Sequence, residues 1–284
     1  MENIGCFSFH YFIRFVVRCQ SLLAGIEKYG TTKDEICKHT IGLSSEQINE
    51  KVIIAPWWEP TSLPALGKAA PQTLYSARIK VWLIENGEEK YTYIKTGIGA
   101  PVLIDVVLAL GLTKCKSIIF VGSVGSLSEE IGIGDIVIPE FSVCGDGASR
   151  YIKRTALMNN DVWGEKAYPN KSFLDRTKKV TAEICEQNNI AWHKGYNFSA
   201  DSIFAQFAHI DEIIGLGCNV IEMETAAAFE AASMAGIPIA ALFSVSDNTV
   251  INKPLPMGLT EKEQEYRIFV RKTIFPQIIS RLFV

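Results

Sequence analysis

The stretch VIEMETAAAFEAASMAGIPIAALFSVSDN, residues 220–248, decides the reading of this chain. Met223 to Ala235 is a run of strong helix formers, Gly236-Ile237-Pro238 ends it, and Ile239 to Val245 is an unbroken apolar run of strand length. Ser246, Asp247 and Asn248 then fall just past the carboxyl end of a buried strand, where ligands bind in open α/β sheets. Glu224 and Asp247 thus mark the ends of two buried elements. For Asp247 the alternative is a turn cap.

The segment SIIFVGSVGSLSEEIGIGDIVIPE, 117–140, repeats the pattern. Ile118 to Val121 reads as a strand, a glycine-serine loop follows, and Gly134-Asp135 leads a second strand. Gly122 and Gly125 permit close backbone approach, and Ser123 and Ser126 add hydroxyls, a combination suited to an anion or a sugar. The loop has no lysine, so it is not a nucleotide P-loop, and it does not open a dinucleotide fingerprint.

Taken in order, GSVGSL (122–127), GDIVIPE (134–140), NFSAD (197–201), EMET (222–225) and SVSD (244–247) resemble the nucleoside phosphorylase family. That family includes the hexameric purine nucleoside phosphorylases, the uridine phosphorylases and the methylthioadenosine/adenosylhomocysteine nucleosidases. KTGIGAP at 95–101 is similar to its glycine turn, and GDGASRY at 145–151 resembles a segment of the uridine phosphorylase branch. The resemblance runs from about Lys51 to the C-terminus. It implies cleavage of an N-glycosidic bond, which needs a holder for the sugar, an acid for the departing base and a nucleophile on the opposite face. By resemblance Glu224 accepts from the ribose hydroxyls, Met223 packs against the sugar, Phe198 stacks on the base, Asp247 protonates a purine N7, and Gly122 and Ser123 face phosphate. Met223 and Phe198 read equally well as core, and Glu222 as a solvated acid at the helix start.

The chain departs from the family at the phosphate-binding positions. The arginine three residues before the loop serine is replaced by Phe120, and the first strand continues into IIAPWWEPTSL (53–63), with Trp57 and Trp58 and no arginine until Arg78. A charge-assisted hydrogen bond to an anion is worth roughly 1.5–3 kcal/mol, so two losses cost about two to four decades of phosphate affinity unless replaced. Arg78 and Arg150 are the candidate replacements. The hydrolytic branch of the family instead activates water with a glutamate after the first strand, and Glu59 falls close to that position, although it also reads as a surface acid beside Pro60. An acid at Asp247 favours a purine leaving group. The expectation is therefore purine nucleoside phosphorolysis with inorganic phosphate as co-substrate. Hydrolytic cleavage is the alternative, followed by a nucleoside-binding protein without activity on the same fold.

At 284 residues, 48% hydrophobic and 21% charged, the chain can bury a substantial core. A net charge of −3 gives no footprint for nucleic acid. Seven scattered cysteines without C-x-x-C spacing argue against zinc or a disulfide framework and for a reducing, cytoplasmic location, with no metal and no cofactor. Ile4 to Val17 is apolar but interrupted by His10 and Arg14, too short for a membrane span. Two capping-box patterns, Thr32-Lys33-Asp34-Glu35 and Ser44-Ser45-Glu46-Gln47, predict two short helices. Residues 1–50 read as a helical extension and 51–284 as one catalytic domain, α/β with a mixed central sheet flanked by helices. The resemblance implies a homodimer or a hexamer made of three dimers.

Overall fold

The computed structural model describes residues 25–72, 79–153 and 161–283. Among them, ten strands join in one mixed sheet: β1 (Lys51–Ala55), β2 (Lys68–Pro71), β3 (Lys80–Asn86), β4 (Glu89–Lys95), β5 (Ser117–Ser126), β6 (Ile136–Gly145), β7 (Lys166–Ala167), β8 (Trp192–Ala200), β9 (Val220–Glu222) and β10 (Ile239–Asn248). β10 lies parallel to β5 from Ile239 opposite Ile118 to Asn248 opposite Ser126, and antiparallel to β6 at Phe243 and Ser244. β6 pairs with β8, β8 with β9, and β9 returns antiparallel onto β5. These five strands close a circuit and remove their own free edges. β1, β4, β3 and β2 extend outward from β5, and β7 adds to β6.

Side chains alternate between two apolar layers. Val52, Ile54, Ile118, Phe120, Ile239 and Ala241 enter one core, packed against the helices Ala100–Leu110 and Thr225–Ala235. Ile53, Ala55, Ile119, Val121, Ala240 and Leu242 enter the other, against Lys171–Asn188 and the C-terminal helix. Burial on both faces is why these strands read as unbroken apolar runs. Each fully buried Ile, Leu or Phe stabilises the fold by about 1.5–3 kcal/mol.

The glycine-serine segment differs from its expected form. Gly122 to Ser126 continues β5 instead of looping, because β10 supplies a ladder along it and β9 pairs with its last two residues. Tertiary pairing overrides the low strand preference of Gly and Ser. Ser246, Asp247 and Asn248 likewise complete β10, with an irregularity between Val245 and Asp247 that shifts the register. Such bulges re-aim side chains beside sites.

Near the start of the described chain, Thr32 caps the helix Lys33–Thr40 with the reciprocal Glu35 bond. The second box opens only one 3₁₀ turn, Ser45–Gln47, because Ile48 is already extended toward β1. Ile41, Leu43 and Ile48 are buried in the same core as Val52 and Ile54. The apolar segment 4–17 lies outside the described residues. No described helix is long and apolar enough to cross a membrane. The described cysteines, 37, 115, 144, 185 and 218, are free thiols.

Candidate active site

A cavity of about 470 Å³, large enough for a nucleoside, opens where β1, β5 and β10 end at their carboxyl sides. Pro56, Trp57 and Trp58 after β1, Gly122, Ser123 and Gly125 of β5, Met223 and Glu224 after β9, and Ser246 and Asp247 of β10 all line it.

Glu224 sits at the N-cap of the helix Thr225–Ala235 and is 5% exposed. The Gly99 N–H donates to its Oε1 at 2.7 Å from the turn Gly97-Ile98-Gly99, where Gly99 has φ +118° and so favours glycine. Burial, followed by the charge of Glu222, pushes the Glu224 carboxyl up to about 8. Glu222 is not the solvated acid expected from sequence. It is 9% exposed, and its carboxylate accepts from Asn197 Nδ2 at 2.6 Å, Ser199 Oγ at 2.7 Å, the Glu224 N–H at 2.6 Å and the Thr225 N–H at 2.8 Å. An anion at this spot satisfies N–H groups that a helix start leaves unpaired. Asn197 and Ser199 of NFSAD thereby hold EMET in place, and burial keeps the Glu222 carboxyl above its usual range despite these bonds.

Asp247 is 8% exposed and accepts from Ser246 Oγ at 2.5 Å. It stands opposite Gly125 in the β5–β10 ladder, where a Cβ on residue 125 would approach its Oδ2 to 3.1 Å. Glycine there leaves the carboxyl its space. Burial raises the Asp247 carboxyl, while Ser246 and the Arg267 charge oppose that shift. A carboxylic acid shifted in this direction keeps its proton to a higher pH than a solvated one and can donate it to a leaving group.

Other sequence candidates lie elsewhere. Phe198 is in a small cluster with Leu127, Val143 and Ile221, its ring 6.0 Å from that of Trp163, and it does not line the cavity. Glu59 does not line the cavity; its carboxylate accepts from Lys80 at 3.0 Å and Lys95 at 3.1 Å, which hold it below the usual carboxylate range. Arg150 pairs with Asp161 at 3.5 Å, away from the lining. Arg78 lies outside the described residues. No cluster of three or more His, Cys, Asp or Glu side chains suited to a metal occurs among the described residues.

The model of the phosphorylase superfamily matches residues 62–273, well over half of the chain. The chain belongs to this superfamily. The purine nucleoside phosphorylase DeoD-type of Streptococcus suis is 27% identical over 137 residues, 48% of this chain and 53% of that protein. The chain thus spans about half the length of the curated relatives it matches. Uridine phosphorylase of Vibrio fischeri superposes with a TM-score of 0.67 at 19% identity, covering 84% of this chain and 93% of its own. The AMP nucleosidase of Bacteroides thetaiotaomicron gives 0.63 at 16% identity, over 88% and 99% respectively. At these identities the two structures show the shared fold.

Within this phosphorylase-superfamily frame, the cavity has two cations that the sequence reading did not name, Arg267 and Arg271. They stand on the C-terminal helix, where Glu261–Phe269 passes through a π-helical turn, Val270–Ile274, into Phe275–Leu282. Pro276 explains the widened turn. It offers no N–H to the carbonyl four residues back, its ring crowds that carbonyl, and the Phe275 N–H bonds the Val270 carbonyl instead. The sequence signal was Arg-x-x-x-Arg before a mid-helix proline, a spacing that puts both side chains on one face.

Proposed function

We propose that the protein cleaves the N-glycosidic bond of purine nucleosides by phosphorolysis, releasing free base and ribose 1-phosphate. The observation that carries this reading is that Glu224 and Asp247, two buried carboxyl groups with raised proton affinity, face one nucleoside-sized cavity at the strand ends. Phosphate oxygen bonds to ribose C1′ as the bond from C1′ to the base nitrogen breaks. The bonding pair leaves with the base, and Asp247 delivers its proton to purine N7, so that the base departs neutral. Glu224 accepts from the ribose hydroxyls, Met223 covers the sugar, and Gly122 and Ser123 border the attacking phosphate.

Glu59 bears on the choice of nucleophile. Two lysines hold it outside the cavity lining, which supports phosphate over a water activated by that residue. The curated relatives named as purine nucleoside phosphorylases support the purine assignment. We place the protein in the cytoplasm, with residues 51–284 as the catalytic domain. We also propose, from the family resemblance, a homodimer or a hexamer of three dimers; Trp57, 68% exposed, and Ile98, 50% exposed, at the cavity rim are apolar surface that a second subunit would cover.

Replacement of Asp247 by Asn tests the assignment. The variant should melt near the wild-type temperature and turn over purine nucleosides about 10²–10⁴-fold more slowly. An unchanged rate would remove Asp247 from the chemistry.

A further inference from the structure

We propose that Arg267 and Arg271 form a phosphate-binding subsite in the wall of the cavity, supplying from the C-terminal helix the cations that Phe120 and the Trp57-Trp58 loop do not. Its role as a co-substrate site rests on the phosphorolytic reading above.

Four observations meet at this pair. Both arginines line the cavity that Gly122 and Ser123 also line. Neither guanidinium has a carboxylate within ion-pair distance among the described residues, although they lie half-buried. Arg271 Nε is fully enclosed and finds no hydrogen-bond acceptor. The Arg271 guanidinium lies 5.5 Å from the centre of the Trp58 ring, in the loop that follows β1.

Two unpaired guanidinium groups with part of one sealed from water are costly to maintain without an anion. Burial disfavours the charge on each, and on Arg267 the neighbouring Arg271 charge adds to that cost. The surroundings sharpen the effect. Trp58 and the Phe120–Phe243 pair, edge to face at 5.2 Å, make this part of the wall apolar, where charge acts more strongly than in water. Asp247 is the acidic group whose charge Arg267 feels, and a protonated Asp247 leaves that guanidinium uncompensated. Planar donor forks on adjacent turns suit an oxyanion with several acceptors, and a phosphate group fits that chemistry.

The test is calorimetric titration of the full chain with three ligands in turn: inorganic phosphate, a purine nucleoside, and the same nucleoside as its 5′-monophosphate. Arg267→Gln and Arg271→Gln should each weaken inorganic phosphate binding at least about tenfold, while Lys272→Gln, an exposed cation on the same helix, should not. Arg271→Lys should lose less than Arg271→Gln, because charge remains while the fork is gone. Inorganic phosphate that fails to bind, together with a nucleotide whose advantage over the nucleoside vanishes in both Gln variants, would support the same subsite with a nucleotide phosphoryl group as its occupant. Folded Gln variants that bind phosphate and nucleotide as the wild type does would overturn the proposal, as would a wild type that prefers neither. Free ribose formed without phosphate would contradict the phosphorolytic reading alone, since the titration is independent of turnover.

Discussion

At Glu224 the proposed role in sugar binding and the cost to stability come from the same burial. Its backbone anchor is the Gly99 N–H at 2.7 Å, which leaves carboxylate capacity for a sugar. A site built to bond a hydroxyl suffers when that partner is missing. Glu224→Ala should therefore reduce cleavage of ribosides about tenfold more than cleavage of 2′-deoxyribosides, read as kcat/KM on matched pairs. Equal losses would make Glu224 structural. The same residue should leave a mark on stability against pH. The unfolded chain releases this proton near 4.5 and the folded chain near 8, so between those values the folded protein holds more protons. Stability then falls as pH rises through that window, and the contribution is fully lost above it. Glu224→Gln should flatten the profile of denaturation free energy over about pH 4.5–8, whereas Glu222 and Asp247, whose shifts have the same direction, keep part of the slope. An identical profile in the variant would contradict the assigned proton affinity. Asp247 and Glu224 were legible in sequence because strand end and helix start are local patterns. Glu222 was not, since Asn197 and Ser199, which hold its carboxylate together with the nearby Glu224 and Thr225 N–H groups, arrive from NFSAD on another strand, and no local pattern reports that meeting.

The C-terminal helix depends on a contact made far away in sequence. Gly134, which leads into β6, has φ +93°, and a Cβ there would come within 2.4 Å of the Tyr266 ring and 3.3 Å of Arg267 Cγ. Asp135 beside it accepts from the Gly132 N–H at 2.9 Å and bonds His193 at 2.8 Å. The GDIVIPE segment thus seats the helix that presents the arginines. Gly134→Ala should cost about 1–3 kcal/mol in urea denaturation by overpacking and backbone strain, and should weaken phosphate binding with it. Unchanged stability would show that the helix adjusts without consequence. The sequence marked the strands at 118–121 and 239–245 and the helix between 223 and 235, because apolar runs and helix stops are contiguous. It missed the extension of β5 through Gly122–Ser126, the short β2 and β7, and the π-helical turn, each of which depends on a partner element or a single proline.

For the molecule as a whole, the closed circuit of β10, β6, β8, β9 and β5 brings the motifs that are scattered along the chain to one end of the sheet. Gly122 and Ser123, Met223 and Glu224, and Asp247 meet there although more than a hundred residues separate the first from the last. Membership of the superfamily was legible from those motifs and their order. The source of the cationic wall was not, because the residues that replace the missing arginines belong to an element outside every motif. Product analysis separates phosphorolysis from hydrolysis and from simple binding. A purine nucleoside should be incubated with the full chain, with and without inorganic phosphate, and free base, ribose 1-phosphate and free ribose scored separately. Free base and ribose 1-phosphate should form in equal amounts, and only when phosphate is present. Free ribose accumulating without phosphate, or no base released from any purine nucleoside, would contradict the proposed phosphorolysis.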